Sequence, residues 1–160
     1  MDGDERPDEL RTWIDLCDVV DTVRTAINRE LLRAVGLTLA ENLVLCHVAM
    51  APVPRVRMAD IAGSLTIGKS AVTKTVDRLE RRGLLVRERD PADRRVVYAA
   101  LTGEGARMFT IAQPEFTEAV KRHFADRLSR AQLRQARRLA TQVLHAGWET
   151  DLAPRSARRR

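Results

Sequence analysis

The chain has 160 residues, of which 44% are apolar and 31% charged, and these values predict one globular domain with its own core. No window approaches about 18 uninterrupted apolar residues, which excludes a transmembrane helix, and the acidic stretch at 1–10 is unlike a signal peptide. We therefore expect a cytoplasmic protein. The two cysteines, Cys17 and Cys46, lack metal-ligand spacing and are expected to be free thiols.

The net charge of +6 is distributed unevenly along the chain. Residues 1–30 carry 4 basic and 9 acidic groups, whereas residues 55–95 carry 11 basic and 6 acidic groups. The basic excess begins at Arg55. Such an asymmetry favours a polyanion as the partner of the middle of the chain.

Hydrophobic periodicity predicts a long first helix over 8–35, which Gly36 ends. At 1.5 Å per residue this helix is about 40 Å long, more than a monomer of this size covers easily, which suggests a partner helix from a second copy. The elements expected after it are a helix from the Thr38–Glu41 capping box to about residue 50, a short helix over 57–65, a helix over 69–83, strands at about 84–89 and 96–101, a helix capped by Thr102, and a last helix from about 129 to 146.

Two helices joined by a tight turn and followed by a two-stranded hairpin make the order of a winged helix-turn-helix, in which the second helix enters the DNA major groove. The helix over 69–83 suits that role, because Val72, Val76 and Leu79 form one buried stripe. Its remaining side chains are expected to be exposed and to include Lys69, Ser70, Thr73, Lys74, Asp77, Arg78 and Arg81.

Two acidic residues of this helix, Asp77 and Glu80, would repel DNA. At helix spacing they are expected to pair with Arg81 or Lys74. An ordinary amphipathic helix with a solvated face is the alternative interpretation of the same pattern.

The stretch 58–105, MADIAGSLTIGKSAVTKTVDRLERRGLLVRERDPADRRVVYAALTGEG, resembles the MarR family of bacterial transcription regulators. The wing of that family reads D-x-R-x-x-x-V-x-L-T, and Ala99 stands where valine is usual. VTKTVDRLERRGLL matches the family's recognition helix and its exit. The wing positions that match are Asp93, Arg95, Leu101 and Thr102.

The resemblance implies a mainly α fold with a small β-wing. It implies a homodimer whose terminal helices, 8–35 and 103–147, form the dimerisation layer around a winged helix-turn-helix lobe at 38–102, with disordered ends at 1–7 and 150–160. The two recognition helices of such a dimer bind double-stranded DNA at a pseudo-palindromic operator, and the wing tips reach the minor grooves.

In the wing, Arg95 is the residue expected to enter the minor groove, with Arg94 as the alternative. Asp93 is expected to hold the Arg95 side chain by a salt bridge. Arg87 is expected to contact the DNA backbone or to be solvated, as is Arg89, and Arg57, before the third helix, is a candidate phosphate contact.

A small-molecule effector is possible, and similarity to the family places it between the dimerisation helices and the DNA-binding lobe. The candidate lining residues are Trp13, Cys17, Met50 and Phe109. One branch of the family senses hydroperoxides through a cysteine in the first helix. Cys17 is so placed, but the chain has only one tyrosine, Tyr98, to hold a thiolate, and Asp18 would disfavour one.

The residues indicate neither an enzyme nor a metal or cofactor site, because no nucleophile motif, phosphate loop or ligand cluster is present. The predicted function is that of a sequence-specific DNA-binding transcription regulator, with effector-responsive repression as the expected mechanism. The alternatives are a non-specific architectural DNA-binding protein and a cysteine-based redox-sensing regulator of the same fold.

Overall fold

The computed structural model of the protein describes residues 7–65 and 69–145, with the side chains of Lys69 and His145 left out. The predicted disordered ends therefore lie outside the described residues, apart from Pro7. The described part is mostly helical with one small sheet, as predicted. Its elements are α1 (Asp8–Val35), α2 (Leu39–Ala49), β1 (Arg55–Arg57), α3 (Met58–Ser64), α4 (Lys69–Arg81), β2 (Leu85–Arg89), β3 (Val97–Leu101), α5 (Gly103–His123) and α6 (Arg130–His145), with a 3-10 turn at Ala125–Arg127 between the last two.

The sheet has three antiparallel strands in the order β1-β3-β2, so the expected two-stranded hairpin is incomplete. The missed strand is β1, in which Val56 pairs with Ala99, and Arg57, expected at the start of a helix, pairs with Tyr98. A strand of three residues is too short for the alternation of apolar and polar side chains to predict it from the sequence. This strand exists because β3 offers it a free edge about 40 residues further along the chain.

Glycine and side-chain caps end and begin the helices as predicted. Gly36 and Gly83 adopt φ of 66° and 68°, the left-handed region that glycine enters freely. Thr38 and Glu41 form a reciprocal capping box on α2, and Thr102 caps α5. Gly105 is required for a different reason, because a Cβ there would lie 2.0 Å from the Leu84 carbonyl oxygen.

The hydrophobic core has two parts that meet at α2. The larger lies in the winged lobe, where the predicted stripe of α4 is fully buried and packs with Val44, Leu45 and Val48 of α2. The smaller joins Ile27 and Leu31 of α1 to Ala119 of α5. The lobe is therefore fixed to the second half of α1, which positions α4 relative to the long helix.

Both ends of the described chain leave apolar side chains in solvent. Trp13 of α1 is 65% exposed and Leu144 of α6 is also 65% exposed. No described element packs on α6 beyond isolated contacts. No single helix of the described residues is long and apolar enough to cross a membrane, and only α1 and α2 taken together across a 77° bend pass that test.

Candidate nucleic-acid interface

The outer face of α4 presents short polar and cationic side chains. Ser70, Thr73 and Lys74 are exposed on it, as predicted. Lys69 begins the helix, and its side chain lies outside the described part. Thr75 points inward, and its hydroxyl donates to the Ala71 carbonyl at 2.8 Å. The face is thus open to a ligand in its first two turns, where the positive end of the helix dipole also favours an anion.

Arg78, predicted on the exposed side of α4, keeps 43% of its side chain exposed but is also tied to groups beneath the helix. Its Nε donates to Glu41 Oε1 at 3.1 Å, and its second nitrogen reaches the Thr75 hydroxyl at 3.3 Å. Arg82 lies 3.6 Å from the other oxygen of Glu41 and donates to the Gly36 carbonyl. This cluster ties α4 to the junction between α1 and α2.

The Glu41 carboxylate is buried at the centre of that cluster, with the residue 4% exposed. Burial raises its pKa, but hydrogen bonds from the Thr38 backbone and from Arg78 outweigh burial and lower it. Glu41 therefore remains ionised and serves as a fixed anchor for α4.

The two acidic residues of α4, Asp77 and Glu80, form ion pairs with a residue outside the helix. The prediction that they pair with Arg81 or Lys74 is therefore wrong. Arg87 of β2 lies 2.6 Å from Asp77 and 2.5 Å from Glu80, and its backbone N–H also donates to Glu80. Burial lowers the pKa of Arg87, but hydrogen bonds to both carboxylates raise it. Arg87, expected to be solvated or to contact DNA, therefore clamps the wing to α4 and offsets its acidic side.

The tip of the wing is a tight loop whose carboxylates bind its own backbone. Asp90 accepts hydrogen bonds from the Ala92 and Asp93 N–H groups, which lower its pKa, and from the Tyr98 hydroxyl. Asp93 accepts from the backbone N–H of Arg95 at 3.0 Å. The expected salt bridge from Asp93 to the Arg95 side chain is therefore wrong, since Asp93 shapes the loop instead.

Both arginines of the tip are left exposed by this arrangement. Neither Arg94 nor Arg95 forms an ion pair with any residue in the described ranges. Arg95 borders a groove of about 470 Å³ between the wing and α4, together with Arg57, Arg87 and Thr73. Arg57 and Arg95 give this cleft beside α4 a basic lining that suits an anionic ligand, whereas Arg87 is already paired with Asp77 and Glu80.

Arg57 is held by the aromatic ring of Tyr98. Its Nε donates to the Tyr98 hydroxyl at 3.4 Å, which raises the pKa of Arg57, and Arg55 lies 4.8 Å from the ring centroid. Tyr98 links β1 to Asp90 at the base of the wing loop. Sequence reasoning missed this role of Tyr98 because the register between β1 and β3 brings the partners together.

Of the four residues predicted to line an effector pocket, Met50 borders one of the described grooves. This groove, of about 680 Å³, lies between α2, β1 and β3 and also contains His47, Arg55 and Tyr98. Burial lowers the pKa of His47, and nearby Asp60 raises it, with burial dominating. Trp13, Cys17 and Phe109 border none of the larger grooves found among the described residues.

The two cysteines are free thiols, and Cys46 is a poor candidate for a redox site. Cys46 donates to Gln113 at 3.4 Å, and burial raises the pKa of its thiol, which disfavours a reactive thiolate. Tyr98, the only tyrosine, is already engaged in the wing. Within the described residues, no group of three His, Cys, Asp or Glu side chains is arranged to hold a metal ion.

A family model and solved structures match this arrangement. The MarR family model matches residues 37–97, from two residues before α2 to the first residue of β3. The crystal structure of Sco3205, a MarR family transcriptional regulator from Streptomyces coelicolor in complex with DNA, covers 94% of this chain and 98% of its own, with 28% identity and a TM-score of 0.78. The chain belongs to the MarR family. Members of the MarR family are transcription regulators and not enzymes.

A further solved structure and two curated relatives extend the comparison. CouR from Rhodococcus jostii RHA1, solved bound to p-coumaroyl-CoA, is 28% identical, with a TM-score of 0.69, over 83% of this chain and 91% of its own. The HTH-type transcriptional regulator YkoM of Bacillus subtilis is 47% identical over 49 residues, 31% of this chain and 32% of that protein. The chain spans between about a third and about three fifths of the length of the curated relatives it matches.

Proposed function

We propose that this MarR-family chain is a cytoplasmic, homodimeric transcription regulator that binds a pseudo-palindromic operator in double-stranded DNA. The observation that carries the proposal is the pairing of an open, polar face on α4 with two exposed arginines at a rigid wing tip. The complex of Sco3205 with DNA supports it, since that protein shares the fold over nearly its full length.

Each part of the surface has a distinct role in this proposal. Ser70, Thr73 and Lys74 of α4, with Lys69 before them, contact base edges and phosphates in the major groove. Arg95 enters the minor groove, and Arg94 and Arg57 contact the backbone. Arg78 and Asp93 act indirectly, because Arg78 holds α4 on Glu41 and Asp93 holds the loop that presents Arg95.

Repression relieved by a small-molecule effector is the proposed mechanism. The groove beside Met50 is the better candidate for the effector site than the four residues predicted from the sequence, because it places His47, Arg55 and Tyr98 around one cavity. The structure of CouR bound to p-coumaroyl-CoA is a precedent for a ligand in this fold. Such a ligand acts only if it binds the two conformations of the dimer unequally.

The first test is a gel-shift titration on the DNA upstream of the protein's own gene, with a scrambled duplex of equal length as competitor. A discrete band that survives excess scrambled competitor at about 150 mM salt is the expected result. If the upstream DNA and the scrambled duplex bind equally, and salt weakens both complexes alike, sequence-specific binding is overturned in favour of architectural binding. Absence of any complex on a panel of genomic duplexes would overturn DNA binding itself.

A further inference from the structure

One face of the small sheet carries a polar cluster centred on Tyr98. The register of the sheet places Arg57 of β1 and Glu88 of β2 directly opposite Tyr98 of β3, so the three side chains share a face. Ala99 lies on the other face, where it is fully buried in the core. The face that carries Tyr98 is therefore turned away from the core.

The Tyr98 hydroxyl takes part in two hydrogen bonds of opposite sense. It donates to Asp90 Oδ2 at 3.2 Å and accepts from Arg57 Nε at 3.4 Å. A phenol hydroxyl has one proton to donate and can accept at the same time, so both bonds can form together. Hydrogen bonds to ionised partners are stronger than those between neutral groups. The hydroxyl thus links β1 to the residue that follows β2.

From Asp90 the series of hydrogen bonds continues into the wing loop. Asp90 Oδ1 accepts from the N–H groups of Ala92 and Asp93 at 2.8 and 3.1 Å. The Asp93 carboxylate then accepts from the N–H of Arg95 at 3.0 Å. Consecutive hydrogen bonds therefore connect Arg57, the residue before α3, with Arg95 at the tip of the wing.

The tip of the loop depends on these hydrogen bonds for its position. Residues 91–95 are all exposed, so apolar packing contributes little there. Tyr98 itself is half-buried, and the guanidinium carbon of Arg55 lies 4.8 Å from the centre of its ring. Arg55 also lies 3.6 Å from the Glu88 carboxylate. The ring is therefore held by its strand and by Arg55, and its hydroxyl offers the loop a fixed point of attachment.

We propose that the Tyr98 hydroxyl is a positioning group for DNA recognition, which holds Arg57 and the wing tip at a fixed separation. The inference rests on the proposed DNA binding, in which Arg57 contacts the backbone and Arg95 enters the minor groove. Both contacts form together only where backbone and groove have the matching geometry, so a fixed separation favours the operator over other duplexes. A loop released from Tyr98 loses this selectivity and must be ordered on binding, which costs entropy.

Removal of the hydroxyl alone tests the positioning role. Tyr98→Phe keeps the ring, and with it the contact to Arg55, but loses both hydrogen bonds. Fluorescence anisotropy measures the affinities for the DNA upstream of the protein's own gene and for a scrambled duplex of equal length. We expect the ratio of the two affinities to fall about fivefold, the equivalent of one hydrogen bond, while the affinity for scrambled DNA stays that of wild type.

Asp90→Asn breaks the same link from the other side. Asparagine still accepts from the N–H groups of the loop through its amide oxygen, as in an Asx turn, but its amide nitrogen cannot accept from Tyr98. The affinity ratio should therefore fall by a similar factor, and the double variant with Tyr98→Phe should be no worse than either single variant. Reductions that multiply in the double variant would show that the two side chains act separately, and would overturn the shared link.

Thr110→Val is the matched control, because it removes an exposed hydroxyl that donates to the Ala106 carbonyl within α5. Its affinity ratio should equal that of wild type, and thermal melts followed by circular dichroism establish that each variant is folded. If wild type discriminates between the duplexes and Tyr98→Phe keeps the same ratio, the inference is overturned and the proposed function stands. If wild type binds both duplexes equally, both are overturned.

Discussion

At the scale of single residues, two acidic side chains of the wing fix the loop backbone and leave the neighbouring arginines exposed. The carboxylates of Asp90 and Asp93 accept hydrogen bonds from backbone N–H groups of the loop. Neither carboxylate is paired with the side chain of Arg94 or Arg95. The loop gains rigidity without neutralising its tip. Pre-organisation of this kind lowers the entropy lost when an arginine enters a groove.

Replacing Arg95 by alanine should weaken operator binding by roughly 1–3 kcal/mol, because a guanidinium group is lost from the minor groove. Fluorescence anisotropy with operator and scrambled duplexes measures both affinities. Arg107→Ala is the control, since Arg107 pairs with Glu104 on α5 away from the wing. An operator affinity equal to that of the control variant would refute this role of Arg95.

At the scale of elements, two ion clusters hold the recognition helix. Arg87 joins α4 to β2 through Asp77 and Glu80, and Glu41 joins α4 to α2 through Arg78 and Arg82. The wing and α2 are therefore both attached to α4. In the proposed dimer, we expect a movement of α1 to reach the recognition helix through α2, which packs on both α1 and α4.

Changing Glu41 to glutamine should lower the free energy of unfolding by roughly 1–3 kcal/mol at neutral pH, because charge-assisted hydrogen bonds to a buried group are lost. The folded pKa of Glu41 is lowered, so its contribution is complete above the ordinary glutamate pKa and disappears as the pH falls through the folded value. The difference in free energy of unfolding between wild type and Glu41→Gln should therefore become smaller at acidic pH.

Urea unfolding at a series of pH values checks both statements. Glu118→Gln is the matched control, because Glu118 is an exposed glutamate of α5 paired only with Lys121. Its effect should stay within about 0.5 kcal/mol at every pH. A gap for Glu41→Gln that is constant with pH would show that the carboxylate charge contributes nothing.

At the scale of the whole molecule, charge is segregated along the chain. The first 30 residues are acidic, and the winged lobe and the C-terminal part are basic. The acidic segment lies in a helix that we propose for dimerisation, and the basic winged lobe is the part that we propose to face DNA.

Deleting residues 155–160, which include four arginines, should weaken binding to all DNA sequences about equally and reduce its salt dependence. Affinities measured on operator and scrambled DNA over a range of salt concentrations test this. Replacing the same arginines by glutamine, which keeps the length, should reproduce the deletion. A loss confined to the operator would contradict a purely electrostatic tail.

The sequence by itself determined the order of the helices, their caps, the α4 stripe and the exposed Ser70, Thr73 and Lys74, because these depend on spacing within one segment. Only the tertiary structure decided the partners of charged groups that lie far apart. Strand pairing placed Arg87 against Asp77 and Glu80 and added β1 beside β3, and packing of α2 on α4 turned Arg78 toward Glu41. Local periodicity indicates which side of an element is polar, but the choice among several polar partners depends on long-range register and packing.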